Sequence, residues 1–400
     1  MMKNECETGS PTAFIASIGK RLVQYQIAAD SGSVERKEMW AAPEAVQYAC
    51  FDPNAHILYM VCSDGGPGLR GSRHLLIALK IDLDGARKVG PAVPLAGRPI
   101  HVCHDMNRRL LLVSYEDTVK LSIHALADDG AVGSALAEGA PAECYYPHQV
   151  VVAPHDAGYV LVCRGSDAKN GKTEQPGGLY PFKFDGHKIQ YGTKIAPDGG
   201  YGFGPRNIVF DKAGNFAYVV LERQNLFLSY AVKSGHLSPA PVASLPTTHA
   251  PRAYLPQIAG AVRVHPNGGF AYVANRTHRT RGDDVLPDMG PGANTISVYS
   301  IDSQSGKPTL VHEQATGGIH PRTISMSDDG RLLIAAHVRK ATFKRHDAYR
   351  EVPASLAIFR VCEQGHIAPM LLEPVDIGQD LLFWSSFVGW NREQGCSHND

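Results

Sequence analysis

The sequence has no CxxC pair, no run near the ~18 apolar residues needed to cross a bilayer, and no block of basic residues. Each absence excludes something. The eight cysteines (Cys6, Cys50, Cys62, Cys103, Cys144, Cys163, Cys362 and Cys396) are scattered, and the opening MMKNECETGSPTAF lacks a charged segment followed by an apolar one. A cytoplasmic protein with reduced thiols is expected, without a membrane partner. Lysine plus arginine and aspartate plus glutamate balance at 39 each, so no row of cations is available to neutralise a nucleic-acid backbone. No nucleic-acid partner is expected.

Signatures of common chemistries are missing as well. There is no GxSxG elbow, no phosphate-cradling GxxxxGK[ST] and no dinucleotide glycine fingerprint, which argues against serine-nucleophile and hydride-transfer enzymes. His101 and His104 lie three positions apart, an odd offset that on a strand sends them to opposite faces. Asp283, Asp284 and Asp288 lack the spacing and closing glutamate of a calcium loop. No metal and no cofactor are expected.

What the chain does contain is a repeat. GPRNIVFDKAGNFAYVVLERQNLFLSYAV (204–232) reads as an alternating strand, a turn at Asp211–Gly214, a second strand and a third. The unit returns at 261–276 and 320–337, and in weaker form at 47–64, 98–117 and 147–167. A seventh copy near 12–43 lacks its first strand, which the apolar segment LLFWSSFVGW at 381–390 can supply. Units of this size match one propeller blade each. The predicted fold is all-β: a seven-bladed β-propeller over 12–390, closed by strands from both termini, with tails at 1–11 and 391–400. Length alone does not divide the chain, and no proline-rich or Gly/Ser linker interrupts it.

The register of the repeat then sorts the charged residues. In an antiparallel hairpin the start of strand one and the end of strand two lie at the same end. Aligning the units on their turns brings Arg206 and Glu222 to one mouth of the channel. His148 and Arg322 fall in the position of Arg206, and Arg164, Arg276 and Glu116 in that of Glu222. His320 and His337 lie within one or two residues of these. Long segments at 166–178, 277–294 and 338–354 all follow a strand-two end and should rim the same mouth. Arg279, Arg281, Asp283 and Asp284 read as solvated loop charges.

The motifs GPRNIVF…NFAYVVLE, AVRVHPNGGFAYVANR and GGIHPRTISMSDDGRLLIAAH resemble blades of the lactonase propeller family, from about residue 12 to 390. That family includes a bacterial class of 6-phosphogluconolactonase and the fungal 3-carboxy-cis,cis-muconate lactonizing enzyme. The resemblance implies catalytic roles for His148 in YYPHQV, Arg206 in GPRN, Glu222 in VVLER and Arg276 in VANR. Two positions depart from the family pattern: Asn207 follows the Pro-Arg pair and Tyr146 precedes Pro147, where histidines are common.

Lactone hydrolysis requires a base for water and a stabiliser for the oxyanion, so Glu222 or His148 is the expected base and Arg206 and Arg276 the anion holders. His320, Arg322, His337 and Arg164 are expected to bind substrate, an anionic or sugar-like lactone. The same groups suit a cycloisomerase that forms or opens a carboxylated lactone. A non-catalytic binding propeller is the third reading, and oligomeric state is not set by the sequence.

Overall fold

The computed structural model describes residues 12–389, apart from 83–84, 117–118, 170, 250–256, 278–284, 288–292 and 346–347. The expected tails at 1–11 and 391–400, and the acidic and basic residues at 279, 281, 283, 284 and 288, lie outside the described residues. Among the described residues the chain forms seven sheets of at least four strands, six of them built from strands consecutive within their sheet and one joining the two ends of the fold. Their first strands are Ala45–Asp52, Pro99–Asp105, Pro147–Val152, Pro205–Phe210, Gln257–Val264, Pro321–Met326 and Leu382–Phe387. Each of these packs against the next, and Leu382–Phe387 packs against Ala45–Asp52, so the seven close a ring around a channel.

We number the blades from Ala45–Asp52 (blade 1) to the closing sheet (blade 7). Blade 7 takes three strands from Thr12–Ile18, Arg21–Ile27 and Val34–Ala41, and its innermost strand, Leu382–Phe387, pairs antiparallel with Thr12–Ile18. The ring is therefore a seven-bladed propeller fastened by strands from opposite ends of the fold. The only helical element among the described residues is a single 3-10 turn at Pro197–Gly200.

Burial explains why the repeat has the composition it does. Second strands are covered on both faces by neighbouring blades and read as nearly continuous apolar runs. Ile57–Ser63 is buried at every residue, whereas the outer strand Val132–Glu138 is buried only at Val132 and then alternates half-buried with exposed. One apolar cluster fills each of the seven blade interfaces, for example Ile57, Val61, Val102 and Val113 between blades 1 and 2. A fully buried side chain of this size contributes about 1.5–3 kcal/mol. At the end of the ring away from the mouth, Gly214 (φ +71°) allows its turn to approach Pro154, whose side chain would lie 2.6 Å from an added Cβ.

Two of the long segments that follow strand-two ends meet one another. Residues 338–354 form a hairpin of Ala341–Arg345 and Ala348–Val352, and Val285–Pro287 from the preceding blade pairs in parallel with its first strand. The segment at 166–178 is drawn back toward its root. Arg223 donates to the Arg164 carbonyl (2.7 Å), and its guanidinium pairs with Asp167.

Candidate functional site

All seven innermost strands carry an irregularity at the same mouth. Pro147 pairs with Cys163 and Gln149 with Val162, leaving His148 without a partner; Arg206 and Arg322 are skipped in the same way in blades 4 and 6. The same bulge holds Gln47, Ile100 and Phe383 in blades 1, 2 and 7, and the Gly260–Ala261 pair in blade 5. A bulge adds one residue to the strand and re-aims its side chain. In blades 2, 3, 4 and 6 the strand opens on proline, which has no N–H to contribute to the ladder.

On the facing second strands, Arg164, Glu222 and Glu116 each follow the last paired residue by one, whereas Arg276 holds the equivalent position within a longer pairing, opposite Ile258. The resulting side chains interlock. Glu222 Oε1 is 3.1 Å from Arg206 Nε and accepts a hydrogen bond from Arg276 Nη2, while its Oε2 accepts from Arg164 Nη1 at 3.0 Å. Arg164 also reaches Glu116 Oε1 (3.3 Å), and Glu116 Oε2 pairs with Arg98, which donates to Gln47 Oε1 as well (3.2 Å). Glu222, Arg206 and Arg276 are 6 %, 4 % and 2 % exposed, so little water screens this network.

The charges set the protonation states. Burial alone would raise the Glu222 carboxyl, but Arg164, Arg276 and Arg206 overcome it and hold the group well below the usual carboxylate range. His148 is pushed well below the usual imidazole value by burial first and then by Arg206 and Arg164. It is neutral near pH 7, half-buried, and its Nδ1 is buried without a hydrogen-bond partner. His320 is driven down in the same sense by burial and by Arg276 and Arg322; its Nε2 lies 3.2 Å from Arg276 Nη1. His320 and Tyr146, each just before a strand-opening proline, have φ of +56° and +51°, a conformation uncommon outside glycine.

The mouth thus gathers His148, Arg164, Arg206, Glu222, Arg276, His320 and Arg322. His337 is not among them. It is fully buried between strands, its Nδ1 2.9 Å from Ser355 Oγ and its Nε2 2.9 Å from Thr316 Oγ1, so both ring nitrogens are occupied inside the blade. The register explains why: His337 pairs with Pro321, so the position matching Glu222 is Val338. Three groups at the mouth escape the sequence reading: Arg98, Gln47 and Phe383. Arg98 was within reach, because it precedes Pro99 as His320 precedes Pro321.

His101 and His104 point apart, as their spacing predicts. His101 packs against Tyr48 with tilted rings whose centroids are 4.1 Å apart, and His104 Nδ1 lies 3.8 Å from Asp52. Among the described residues no group of three or more His, Cys, Asp or Glu is arranged to hold a metal ion. Nor is any helix among them long and apolar enough to cross a membrane.

Comparison with known proteins gives a consistent picture. The family described as "Lactonase, 7-bladed beta-propeller" matches residues 8–345. The chain is 27 % identical over 253 residues to a 6-phosphogluconolactonase of Bacillus subtilis (strain 168), a match covering 60 % of this chain and 63 % of that protein. It is 22 % identical over 325 residues to a 6-phosphogluconolactonase of Serratia proteamaculans (strain 568), covering 81 % and 87 % respectively. Among solved structures, the Pseudomonas aeruginosa periplasmic gluconolactonase superposes with a TM-score of 0.71 at 18 % identity, over 95 % of this chain and 99 % of that one. A protein from Lactobacillus plantarum gives 0.70 at 18 %, over 91 % and 96 %.

Proposed function

Because the chain belongs to the seven-bladed β-propeller lactonase family, we propose that it is a lactone hydrolase working at the arginine-rich mouth, with His148 as the base. The observation that carries this is the division of labour between the two candidate bases. Both oxygens of Glu222 are committed to arginines, and those arginines keep it a weakly basic carboxylate. His148 is beside the same arginines, uncharged, and outside any ion pair among the described residues.

In this reading Glu222 fixes three guanidinium planes and supplies their counter-charge. Arg206 and Arg276 face the lactone carbonyl and stabilise the negative charge that grows on its oxygen. His148 takes the proton of the attacking water and then returns it to the ring oxygen as the C–O bond breaks. A ring with so depressed a pKa is a poor base in the empty site. An anionic substrate opposes the field of the arginines, which raises the basicity of His148 once it is bound. The 6-phosphogluconolactonase relatives support a phosphorylated sugar lactone as the substrate type.

The test is proton release from a panel of neutral, phosphorylated and carboxylated lactones with the purified protein and a His148→Asn variant. Turnover by the parent that falls at least a hundredfold in the variant supports the reading. Equal rates in both, or no turnover of any lactone, would sink it. Ring closure of an unsaturated dicarboxylic acid in the same assay would instead favour the cycloisomerase alternative.

A further inference from the structure

The arginines at the mouth are not equivalent. Arg164, Arg206 and Arg276 are each within ion-pair distance of Glu222, and Arg98 and Arg164 of Glu116. Arg322 is the exception. It stands at the same bulge position as Arg206, and its protonated form is opposed by burial and by the charges of Arg206 and Arg276, so it shares their space. Among the described residues it has no carboxylate within ion-pair distance. Its guanidinium instead lies over the ring of Phe383, 3.7 Å from the centroid.

The two stacked residues come from adjacent blades by the same device. Phe383 is the bulge residue of Leu382–Phe387, skipped between the Ser17–Trp384 and Ile18–Leu382 pairs. Stacking uses the face of a guanidinium and leaves its in-plane N–H donors unused. A guanidinium seated over an aromatic ring, in a mouth with five arginines and two carboxylates, is suited to receive an anion on its N–H edge.

We propose that Arg322, seated on Phe383, is the residue that selects for an oxyanion substituent on the substrate, a phosphate or a carboxylate remote from the reacting carbonyl. This deepens the hydrolase reading and rests on it for the kinetic arm of its test, but not for the binding arm. Glu222 and its three arginines form a closed network at the reacting end, whereas Arg322 presents an open one to the remainder of the molecule. The stack fixes the plane of the fork in advance, so an anion meets donors that need little reordering.

The binding arm titrates inorganic phosphate and, separately, malonate into the parent protein and into Arg322→Met, Arg322→Lys and Phe383→Leu by calorimetry. The expected result is binding of one or both anions by the parent. Affinity should fall about 10- to 100-fold in Arg322→Met, with smaller losses in Arg322→Lys, which keeps the charge, and Phe383→Leu, which keeps the guanidinium. Whichever anion binds more tightly identifies the substituent. The kinetic arm compares glucono-lactone with its 6-phosphate, and a carboxylated lactone with its amide. The preference for the anionic member should fall about tenfold or more in Arg322→Met, mainly through KM. Anion binding equal in the parent and in a correctly folded Arg322→Lys and Arg322→Met overturns the proposal. Binding that depends on Arg322, without turnover of any lactone, leaves the anion site standing and rejects the hydrolase reading instead.

Discussion

One residue step along the second strands separates two rows with opposite fates. The inner row, Tyr115, Cys163, Leu221, Asn275 and His337, pairs with the first strands and is buried to within 3 % of full coverage in every case. The next row, Glu116, Arg164, Glu222, Arg276 and Val338, lies one step nearer the strand end, and its four charged members interlock at the mouth. Alternation along a strand reverses the direction of a side chain at each step, so a shift of one residue exchanges the ion-paired chemistry of the mouth for packing inside the blade. The inner row accordingly tolerates polar members only when their bonds are met from within. Asn275 reaches Thr247, Thr295 and Ser297, and His337 reaches Ser355 and Thr316.

The contrast is broken most severely at Glu222. Glu222→Gln removes the carboxylate from among three buried or half-buried guanidinium groups, and breaking such a pair from one side costs about 3–5 kcal/mol. Urea denaturation should register that loss, and lactone turnover should be abolished with it. His148→Asn strikes the mouth without that structural penalty: kcat should fall about 10²- to 10⁴-fold, with a urea midpoint close to that of the parent.

The inner row is expected to answer to pH instead. Burial lowers His337 to about 4, whereas the unfolded chain titrates near its ordinary 6.5. The stability this neutral histidine supports is therefore present above pH 6.5 and is lost as pH falls from 6.5 toward 4. The slope is about 1.4 kcal/mol per pH unit. His101, His148 and His320 are lowered in the same sense and add to it, so urea titrations at pH 7, 6 and 5 should show a steeper loss than this in the parent, and His337→Gln should flatten the slope by about 1.4 kcal/mol per pH unit below pH 6.5. The smallest effect is expected at Ser63, which holds the register of Glu222 in blade 1 but turns its hydroxyl to His74 (2.9 Å) and to the Gly65 amide (2.8 Å). Ser63→Ala should lower stability by about 1 kcal/mol while kcat/KM stays within twofold.

The same one-residue rule marks where sequence reading works and where it stops. Turn signals such as Asp211–Gly214 locate the hairpin ends, which is why Arg206, Glu222, His148, Arg164, Arg276 and Arg322 can be brought to one mouth from spacing alone. His337 shows the limit, since a tolerance of one or two residues is harmless for naming an end of the ring and fatal for naming a face. The bulges were not legible, because PRNIVF and PHQVVV read as ordinary alternation until their partners are known. Phe383 was hidden by its own hydrophobicity: in LLFWSSFVGW one aromatic among several gives no sign that it floors an arginine. Arg98 and Gln47 lie in the two blades whose repeats diverge most.

Phe383 also makes the timing of assembly matter. It resides on Leu382–Phe387, which must find Thr12–Ile18 across nearly the whole described chain, the most distant strand pairing among the described residues and among the slowest kinds of contact to form. A folding intermediate with six docked blades would already hold Glu222 and its arginines, yet would present Arg322 without the ring beneath it. Recognition of the anion is thereby coupled to completion of the circle, and discrimination between charged and neutral ligands becomes a reporter of when the last strand locks.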